Sequence, residues 1–236
     1  EAAVARIREQ SGLDFAGLHC HIGSNVFAAE SFGRAAEVMA AFAAPLDLPE
    51  LVLGGGLGVA YVEGEEAPTI AVWAKVLHEA CRALDVRSNI SVEPGRAIVA
   101  AAAVTIYTVG TIKHIPGVRT YIAVDGGMSD NPRPVLYGSG YEAFLPRAVT
   151  ADRTMRARVV GKHCESGDVL LFDAKLPPDV AVDDLLAVPV TGAYGHSMGS
   201  NYNKVPRPPV VFVRDGDARL VVRRETYEDL LITDLG

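Results

Sequence analysis

The sequence predicts an α/β fold followed by a mostly β fold, with the change near residue 103. Two observations support this order. Over residues 1–103, short apolar runs alternate with helical patterns, which is typical of βαβ units and a parallel sheet. Over residues 104–236, brief β-branched runs follow one another between glycine, proline and aspartate turns, which is typical of an antiparallel sheet. We therefore expect two domains, 1–103 and 104–236.

The first domain should contain three strands and three helices. The expected strands are 15–22, 51–53 and 90–92, and the expected helices are 2–10, 30–44 and 68–84. A (β/α)8 TIM barrel needs eight parallel strands, so three strands predict only its C-terminal, closing portion. The chain also begins inside a helical pattern and without methionine, and we expect the rest of such a barrel to precede it.

The second domain should be built from short antiparallel strands, arranged as a β-sandwich or an open β-barrel. The expected strands are 104–112, 120–124, 157–161, 168–172, 186–191, 210–214 and 219–224. A tight turn, Arg214-Asp-Gly-Asp217, separates the last two and predicts a hairpin.

Composition narrows the classes of function. The chain has 49% hydrophobic and 22% charged residues, which predicts an ordered globular protein. Its net charge is −7 without a basic block, which argues against a nucleic-acid partner. The longest uncharged run, residues 97–112, is too short for a comfortable membrane span. The three cysteines are odd in number and lack CxxC spacing, so we expect no disulfide framework and a cytoplasmic location.

The turn Glu93-Pro94-Gly95-Arg96 follows the third expected strand. It places a carboxylate and a guanidinium at the carboxyl end of that strand, where barrels of parallel strands bind their ligands. Such a pair would suit a ligand with a cationic ring and an anionic tail. The four residues alone favour an exposed ion pair beside a turn, because such pairs are common and contribute little to stability.

Two histidines, His19 and His21, lie on one face of the first expected strand because side chains alternate along a strand. They could form half of a metal site, as in barrel hydrolases that use His-x-His. No further histidine follows a later expected strand of this domain, and Glu93 is the single acidic residue directly after one, which counts against a metal. One ring could instead lie flat against a planar cofactor while the other is a core residue.

Two loops of the first domain carry groups that suit an anion. Ser24 offers a hydroxyl and a backbone N–H, and the glycines at 54–56 would let backbone N–H groups approach a phosphate closely. The glycines do not form a P-loop, because no Gly-Lys-Ser/Thr follows. Glycine-rich βα loops also occur for purely structural reasons.

Three segments of the second domain carry further candidates. Arg133, in a loop rich in glycine and proline, suits bidentate capture of a carboxylate. Cys164 follows Lys162 and His163, and basic neighbours favour the thiolate form of cysteine. Tyr194 ends a strand among small residues, where its hydroxyl could reach a ligand. A solvated turn, a buried cysteine and a packing tyrosine are the structural alternatives.

Taken together, these motifs resemble the diaminopimelate decarboxylase family, pyridoxal-phosphate enzymes with an alanine-racemase-like barrel (fold type III). The resemblance runs from near residue 13 to the C-terminus. The stretches that carry it are Gly17–Ser24, Leu53–Gly58, Glu93–Arg96, Val124–Asp130, Arg133–Gly138, Gly161–Asp168, Gly192–Tyr194, Asn201–Asn203 and Arg207-Pro208. The resemblance implies decarboxylation of meso-2,6-diaminopimelate to L-lysine.

The resemblance also implies a role for each matching residue. Glu93 would pair with the pyridine nitrogen of the cofactor, and His21 would stack on its ring. The phosphate would be held by Ser24, Gly56, Gly95, Arg96 and Tyr194. Substrate would contact Arg96, Arg133, Tyr137, Glu165 and Tyr194, with Glu165 meeting the distal ammonium, and Cys164 would donate a proton. In this family, the residues that match Cys164 and Glu165 reach the active site of the neighbouring subunit, which implies a homodimer.

One family feature has no counterpart here. The family's cofactor-holding lysine lies on an early barrel strand, and none of Lys75, Lys113, Lys162, Lys175 and Lys204 has the matching context. We therefore expect these 236 residues alone to be inactive. Three alternatives stay open: a related decarboxylase of another basic amino acid, a metal-dependent hydrolase using His19 and His21, and a sheet domain that only dimerises.

Overall fold

The structure, a computed structural model, describes all of residues 1–236, and they form two compact units. The α/β unit comprises Glu1–Ala60 and Gly64–Ala100, and the sheet unit comprises Tyr61–Glu63 and Ala101–Gly236. None of the helices combines the length and the apolar character that crossing a bilayer requires. All three cysteines are free thiols.

The α/β unit contains a three-stranded parallel sheet, as its strand–helix alternation predicts. Its strands are β1 (Gly17–His19), β2 (Glu50–Val52) and β3 (Asn89–Ser91), hydrogen bonded in that order. Its helices are α1 (Ala2–Arg8), α2 (Ala29–Ala43), α3 (Ile70–Ala83) and α4 (Gly95–Val99), with 3₁₀ turns at Ala44–Leu46 and Ala100–Ala102. The strand expected over 15–22 is wrong in length, because the chain leaves the sheet soon after His19.

Helices α2 and α3 pack against each other and cover the sheet. Phe32 of α2 meets Trp73 of α3 edge to face, with ring centroids 5.8 Å apart, and both side chains are buried with Leu51 of β2. Gly33 permits the close approach, because a Cβ there would lie 2.7 Å from a methyl of Val76. Helix α3 begins at Ile70. The Thr69 side chain caps it by accepting a hydrogen bond from the backbone N–H of Val72.

The sheet unit contains seven strands. They are β4 (Val104–Ile115), β5 (Arg119–Val124), β6 (Met155–Val160), β7 (Val169–Leu176), β8 (Leu185–Pro189), β9 (Val210–Arg214) and β10 (Asp217–Val222). Five of them form one sheet in the order β7-β6-β5-β4-β8, and β9 and β10 form a separate hairpin. Two short helices, α5 (Arg133–Tyr137) and α6 (Gly195–Met198), and 3₁₀ turns at Pro146–Ala148, Tyr202–Lys204 and Asp229–Leu231 lie in the connections.

The expectation of a wholly antiparallel sheet is wrong at one pairing. Strands β5 and β6 run parallel, with Ile122 opposite Val159, whereas the neighbouring pairs are antiparallel. Parallel neighbours need a connection that returns the chain to its starting end. Residues 125–154, which contain α5, supply that connection, so the segment expected to be a loop is also a crossover.

Burial alternates along β5, as a half-buried strand requires. Thr120, Ile122 and Val124 are buried, and the residues between them are more accessible. At the β9–β10 hairpin, Asp215 and Gly216 both have positive φ, of 52° and 88°. This pair of left-handed residues is the form that two-residue hairpins favour, so the Asp-Gly turn prediction is confirmed.

We expect Leu51→Ala to lower the free energy of unfolding by about 2–5 kcal/mol, because Leu51 is completely buried in the central strand of the α/β unit. Urea denaturation of the purified protein would measure the loss. Leu13→Ala is the matched control, since Leu13 is 59% exposed, and it should change stability by less than about 0.5 kcal/mol. Equal effects of the two substitutions would contradict the burial argument.

Candidate functional site

Three loops of the α/β unit meet where its parallel strands end. They follow β1, β2 and β3 and are tied together by backbone hydrogen bonds. The Glu93 N–H donates to the Gly54 carbonyl at 2.7 Å, and the Val26 N–H donates to the Gly56 carbonyl at 2.8 Å. The structure therefore brings the His21–Ser24, Gly54–Gly56 and Glu93–Arg96 segments to one edge of the sheet.

The glycines at 54–56 are required by the packing of these loops. A Cβ on Gly54 would lie 2.0 Å from the Cys20 carbonyl oxygen, and one on Gly55 would lie 2.1 Å from the Glu93 carbonyl oxygen. Gly56 has a φ of +102° and faces the Gly23 carbonyl, so an L side chain is excluded there on two grounds. The absence of side chains at residues 54–56 thus allows the three loops to pack against one another.

Arg96 and Ser24 place a guanidinium and a hydroxyl side by side at this edge. The Arg96 guanidinium is buried and donates to the Ser24 hydroxyl oxygen at 2.8 Å. Gly95 is the first residue of α4, and its N–H donates to the Glu93 carbonyl at 2.8 Å. A guanidinium beside a hydroxyl is a donor set that suits a phosphate or carboxylate.

The two histidines have different partners, and neither belongs to a set of three side chains that could hold a metal ion. His19 Nε2 lies 3.0 Å from Glu93 Oε2, and His21 Nδ1 accepts the Gly55 N–H at 3.2 Å. No group of three or more His, Cys, Asp or Glu side chains in the chain is placed to hold a metal ion. The metal-hydrolase alternative therefore finds no ligand set.

Within the sheet unit, Cys164 lies in an exposed cluster with Glu165 and the 202–203 turn. The thiol sulfur is 3.4 Å from Glu165 Oε1 and receives the Asn203 side-chain amide at 3.7 Å. The Tyr202 hydroxyl donates to the same Glu165 oxygen at 2.5 Å and holds the pKa of Glu165 below its usual value. The second oxygen, Oε2, is buried without a hydrogen-bond partner.

Sequence reasoning missed the partners in this cluster. It placed His163 beside the thiol as a basic neighbour, but the His163 ring hydrogen bonds to the buried Ser129 hydroxyl at 2.9 Å. It assigned no role to Tyr202 or Asn203. Asn203 has a φ of +52°, a left-handed conformation that asparagine tolerates, and this could not be read from the motif alone.

Asp168 holds the Cys164 loop to the preceding glycine loop. Its carboxylate is buried and accepts the N–H of His163 at 2.9 Å and that of Met128 at 2.7 Å. The carboxylate also fills the space beside Gly127 and Gly161, where a Cβ would come within 2.5 Å and 2.1 Å of it. The sequence predicts Asp168 as the end of a motif and the start of a strand, and its buried position makes it a structural anchor.

Arg133 is buried among uncharged groups. It donates to the Tyr141 hydroxyl at 2.9 Å and to the Ser139 hydroxyl at 3.1 Å, and its guanidinium carbon lies 5.0 Å from the Tyr61 ring centre and 5.7 Å from that of Tyr137. A buried cation without a carboxylate partner is costly. These surroundings suit an anionic ligand, and exposed Tyr137 lies beside the guanidinium.

The segment 201–207, which carries Tyr202, is fastened by one carboxylate. Glu225 accepts from the Asn201 side chain at 2.5 Å and from the Arg207 backbone N–H at 2.8 Å, and it forms an ion pair with the Arg207 guanidinium. These bonds, led by that to the Arg207 side chain, lower the pKa of Glu225 to about 2. Tyr194, the residue before α6, is exposed and has a φ of +66°, which is unusual for an aromatic residue.

Comparison with known proteins gives consistent matches. The family model for the pyridoxal-dependent decarboxylase C-terminal sheet domain matches residues 25–192. Curated diaminopimelate decarboxylases from Actinosynnema pretiosum subsp. auranticum and Synechocystis sp. are 51% and 45% identical, over 97% and 99% of this chain. The alignments cover 53% and 52% of those proteins, so the chain spans about half their length.

A solved structure also matches over the whole chain. The crystal structure of diaminopimelate decarboxylase from M. jannaschii in complex with L-lysine has a TM-score of 0.92 and 31% identity, covering 100% of this chain and 55% of that one. The family resemblance predicted from the sequence motifs is confirmed by these matches together.

We expect Glu225→Gln to destabilise the protein at pH 7 and to have progressively less effect as the pH falls from about 4.5 to about 2. The folded-state pKa lies below the ordinary value of 4.5, so the carboxylate contributes its full stability above 4.5 and loses it as it protonates. Urea denaturation of both proteins across this pH range would measure the difference. Glu79→Gln, on exposed α3 surface, is the control, and a difference independent of pH would contradict the assignment.

Proposed function

The chain belongs to the pyridoxal-dependent decarboxylases that share a C-terminal sheet domain, and on that premise we propose that it forms part of a meso-2,6-diaminopimelate decarboxylase. The enzyme would use pyridoxal 5'-phosphate and produce L-lysine and CO2. The observation that carries the proposal is the identity of 51%, across 97% of the chain, with a curated diaminopimelate decarboxylase. The whole enzyme would include residues beyond these 236, since the chain spans about half of its relatives.

We also propose that residues 1–103 are the closing portion of a (β/α)8 barrel of the alanine-racemase type and that 104–236 are the sheet domain. The parallel order β1-β2-β3 and the helices after each strand support the first part. A homodimer is the assembly that the family resemblance implies, and the free thiols support a cytoplasmic setting.

The residues at the edge of the parallel sheet fit the proposed cofactor. Ser24 and buried Arg96 supply a hydroxyl and a guanidinium for a phosphate. Gly56 and Gly95 are proposed to contact the same phosphate through their backbone. Glu93 supplies an exposed carboxylate for a pyridine nitrogen, and the ring of His21 is available for stacking. Pyridoxal phosphate, when bound, accepts the electron pair that loss of CO2 leaves at the substrate Cα.

Within that chemistry, Glu93 would hold a proton at the pyridine nitrogen, because an ionised carboxylate favours a neighbouring cation. The guanidinium of Arg96 would balance a phosphate charge and is also proposed to meet a substrate carboxylate. These two side chains carry opposite charges at one edge of the sheet, which supports a ligand with a cationic ring and an anionic tail.

The sheet unit would contribute recognition of the substrate and a proton. Arg133, buried without a carboxylate partner, is proposed to bind the distal carboxylate, with Tyr137 beside it. Glu165, whose Oε2 lacks a partner, is proposed to bind the distal ammonium. Cys164 would donate the proton to Cα, and Tyr194 would contact phosphate and substrate. A site with a cation at Arg133 and an anion at Glu165 favours a substrate whose distal end carries both a carboxylate and an ammonium. Lysine and ornithine lack the distal carboxylate.

The activity test uses the full-length enzyme with pyridoxal phosphate and meso-2,6-diaminopimelate. We expect stoichiometric release of CO2 and L-lysine, detected by chromatography, and no turnover of lysine or ornithine. Turnover of one of those amino acids instead would identify a related decarboxylase. An absence of pyridoxal phosphate binding would refute the family chemistry itself.

We expect Cys164→Ala to lower kcat by about 10²-fold or more while the absorbance of the bound cofactor is unchanged, because a positioned proton donor typically contributes about 10²–10⁴-fold to rate. Stopped-flow assays and absorbance spectra of the full-length enzyme would measure both. Ser166→Ala, in the same exposed loop, is the control and should retain activity. Loss of cofactor colour in Cys164→Ala would mean that the thiol is structural.

A further inference from the structure

The Glu93 carboxylate has a single side-chain partner, the imidazole of His19. Nε2 of the ring lies 3.0 Å from Oε2 of the carboxylate, and both side chains are about half exposed. His19 is the last residue of β1, and Glu93 follows β3, so the contact spans the central strand of the sheet. Residues 74 positions apart are therefore joined at the edge where the three loops meet.

The chemistry of the pair fixes the direction of the hydrogen bond. An ionised carboxylate can only accept, so the hydrogen must lie on His19 Nε2. The bond occupies Oε2 and leaves Oε1 without a side-chain partner. One oxygen is thus held by the protein while the other is available to a ligand.

The main chain alone does not orient this carboxylate. The Glu93 N–H is fixed to the Gly54 carbonyl, but the side chain has three rotatable bonds and is 55% exposed. An exposed glutamate without a partner would distribute over several rotamers, and ordering it on binding would cost side-chain entropy. A hydrogen bond made before the ligand arrives removes part of that cost.

The second histidine does not share this task. His21 Nδ1 accepts the Gly55 N–H, so its ring is tied to the glycine loop. The His-x-His pair therefore divides between a carboxylate and a backbone amide, because β1 ends at His19 and His21 lies in the loop that follows.

We infer that His19 is a positioning residue that holds the Glu93 carboxylate ready for the pyridine nitrogen of the cofactor. The inference rests on the proposed function, because Glu93 needs a cationic ring to meet. It adds to that function a residue that touches neither the substrate nor the cofactor and acts through the orientation of another side chain.

The test compares His19→Ala and His19→Gln in the full-length enzyme. The Ala variant removes the donor, and the Gln variant keeps an N–H near the position of Nε2. We expect His19→Ala to weaken the Kd for pyridoxal phosphate, titrated into apoenzyme by fluorescence, by tenfold or more and to lower kcat with little change in KM. His19→Gln should recover most of both losses.

A double-mutant cycle with Glu93→Gln separates positioning from general destabilisation. If His19 acts through Glu93, removing His19 in the Glu93→Gln background should weaken cofactor binding by less than twofold further. His78→Ala, an exposed histidine on α3, is the control and should bind the cofactor like the parent. Circular dichroism and thermal unfolding would establish that each variant is folded.

Parent-like cofactor affinity in His19→Ala would overturn the inference, and so would additive effects in the cycle. Should His19→Ala fail to fold, the same cycle is run with His19→Gln and Glu93→Gln. Weaker cofactor binding in His19→Gln that adds to the effect of Glu93→Gln would refute positioning. The proposed function fails separately, when the parent binds pyridoxal phosphate but does not produce lysine, and the cofactor titration is still informative then.

Discussion

The candidate cofactor site, where the loops after β1, β2 and β3 meet, depends on the parallel register of these three short strands. Gly17, Glu50 and Asn89 are paired across β1, β2 and β3, so the following loops leave the sheet at one level. Backbone hydrogen bonds between the loops then hold Ser24, the triple glycine and Glu93 in place. A shift of one residue in any strand would turn its last side chain to the other face and separate these groups.

Two aspartate carboxylates perform the corresponding task in the sheet unit. Asp168 accepts two backbone N–H groups, and Asp130 accepts the Tyr107 hydroxyl at 2.6 Å and the Gly127 N–H at 2.8 Å. Burial raises the pKa of both Asp130 and Tyr107, with the carboxylate adding to the effect on tyrosine. The glycine loop is thereby ordered by one carboxylate of its own, Asp130, and by one from a later segment, Asp168.

The sequence was informative where local chemistry decides structure. Proline and glycine marked the loops after β1–β3, and Asp215-Gly216 marked the hairpin, because these residues have restricted or left-handed conformations. It was uninformative where distant segments decide. The parallel pairing of β5 with β6 depends on a crossover through α5, and a connection as long as residues 125–154 permits either direction of pairing.

The same division holds for the candidate site. Motifs in the sequence could identify Glu93, Arg96 and Cys164 as candidate site residues, but not the side chains that contact them. His19 meets Glu93 across a strand, and Tyr202 meets Glu165 across 37 positions, contacts that exist only after the chain has folded. His163, adjacent to Cys164 in sequence, hydrogen bonds to Ser129 instead.

The burial of Arg133 has a consequence for how an anion would be held there. Its guanidinium lies among tyrosine rings and hydroxyls, and the residue is only 5% exposed. Mobile counterions screen exposed charges within about 10 Å at 0.1 M ionic strength, but they screen buried pairs much less. An anion bound to Arg133 would therefore keep its attraction in salt concentrations that abolish surface ion pairs.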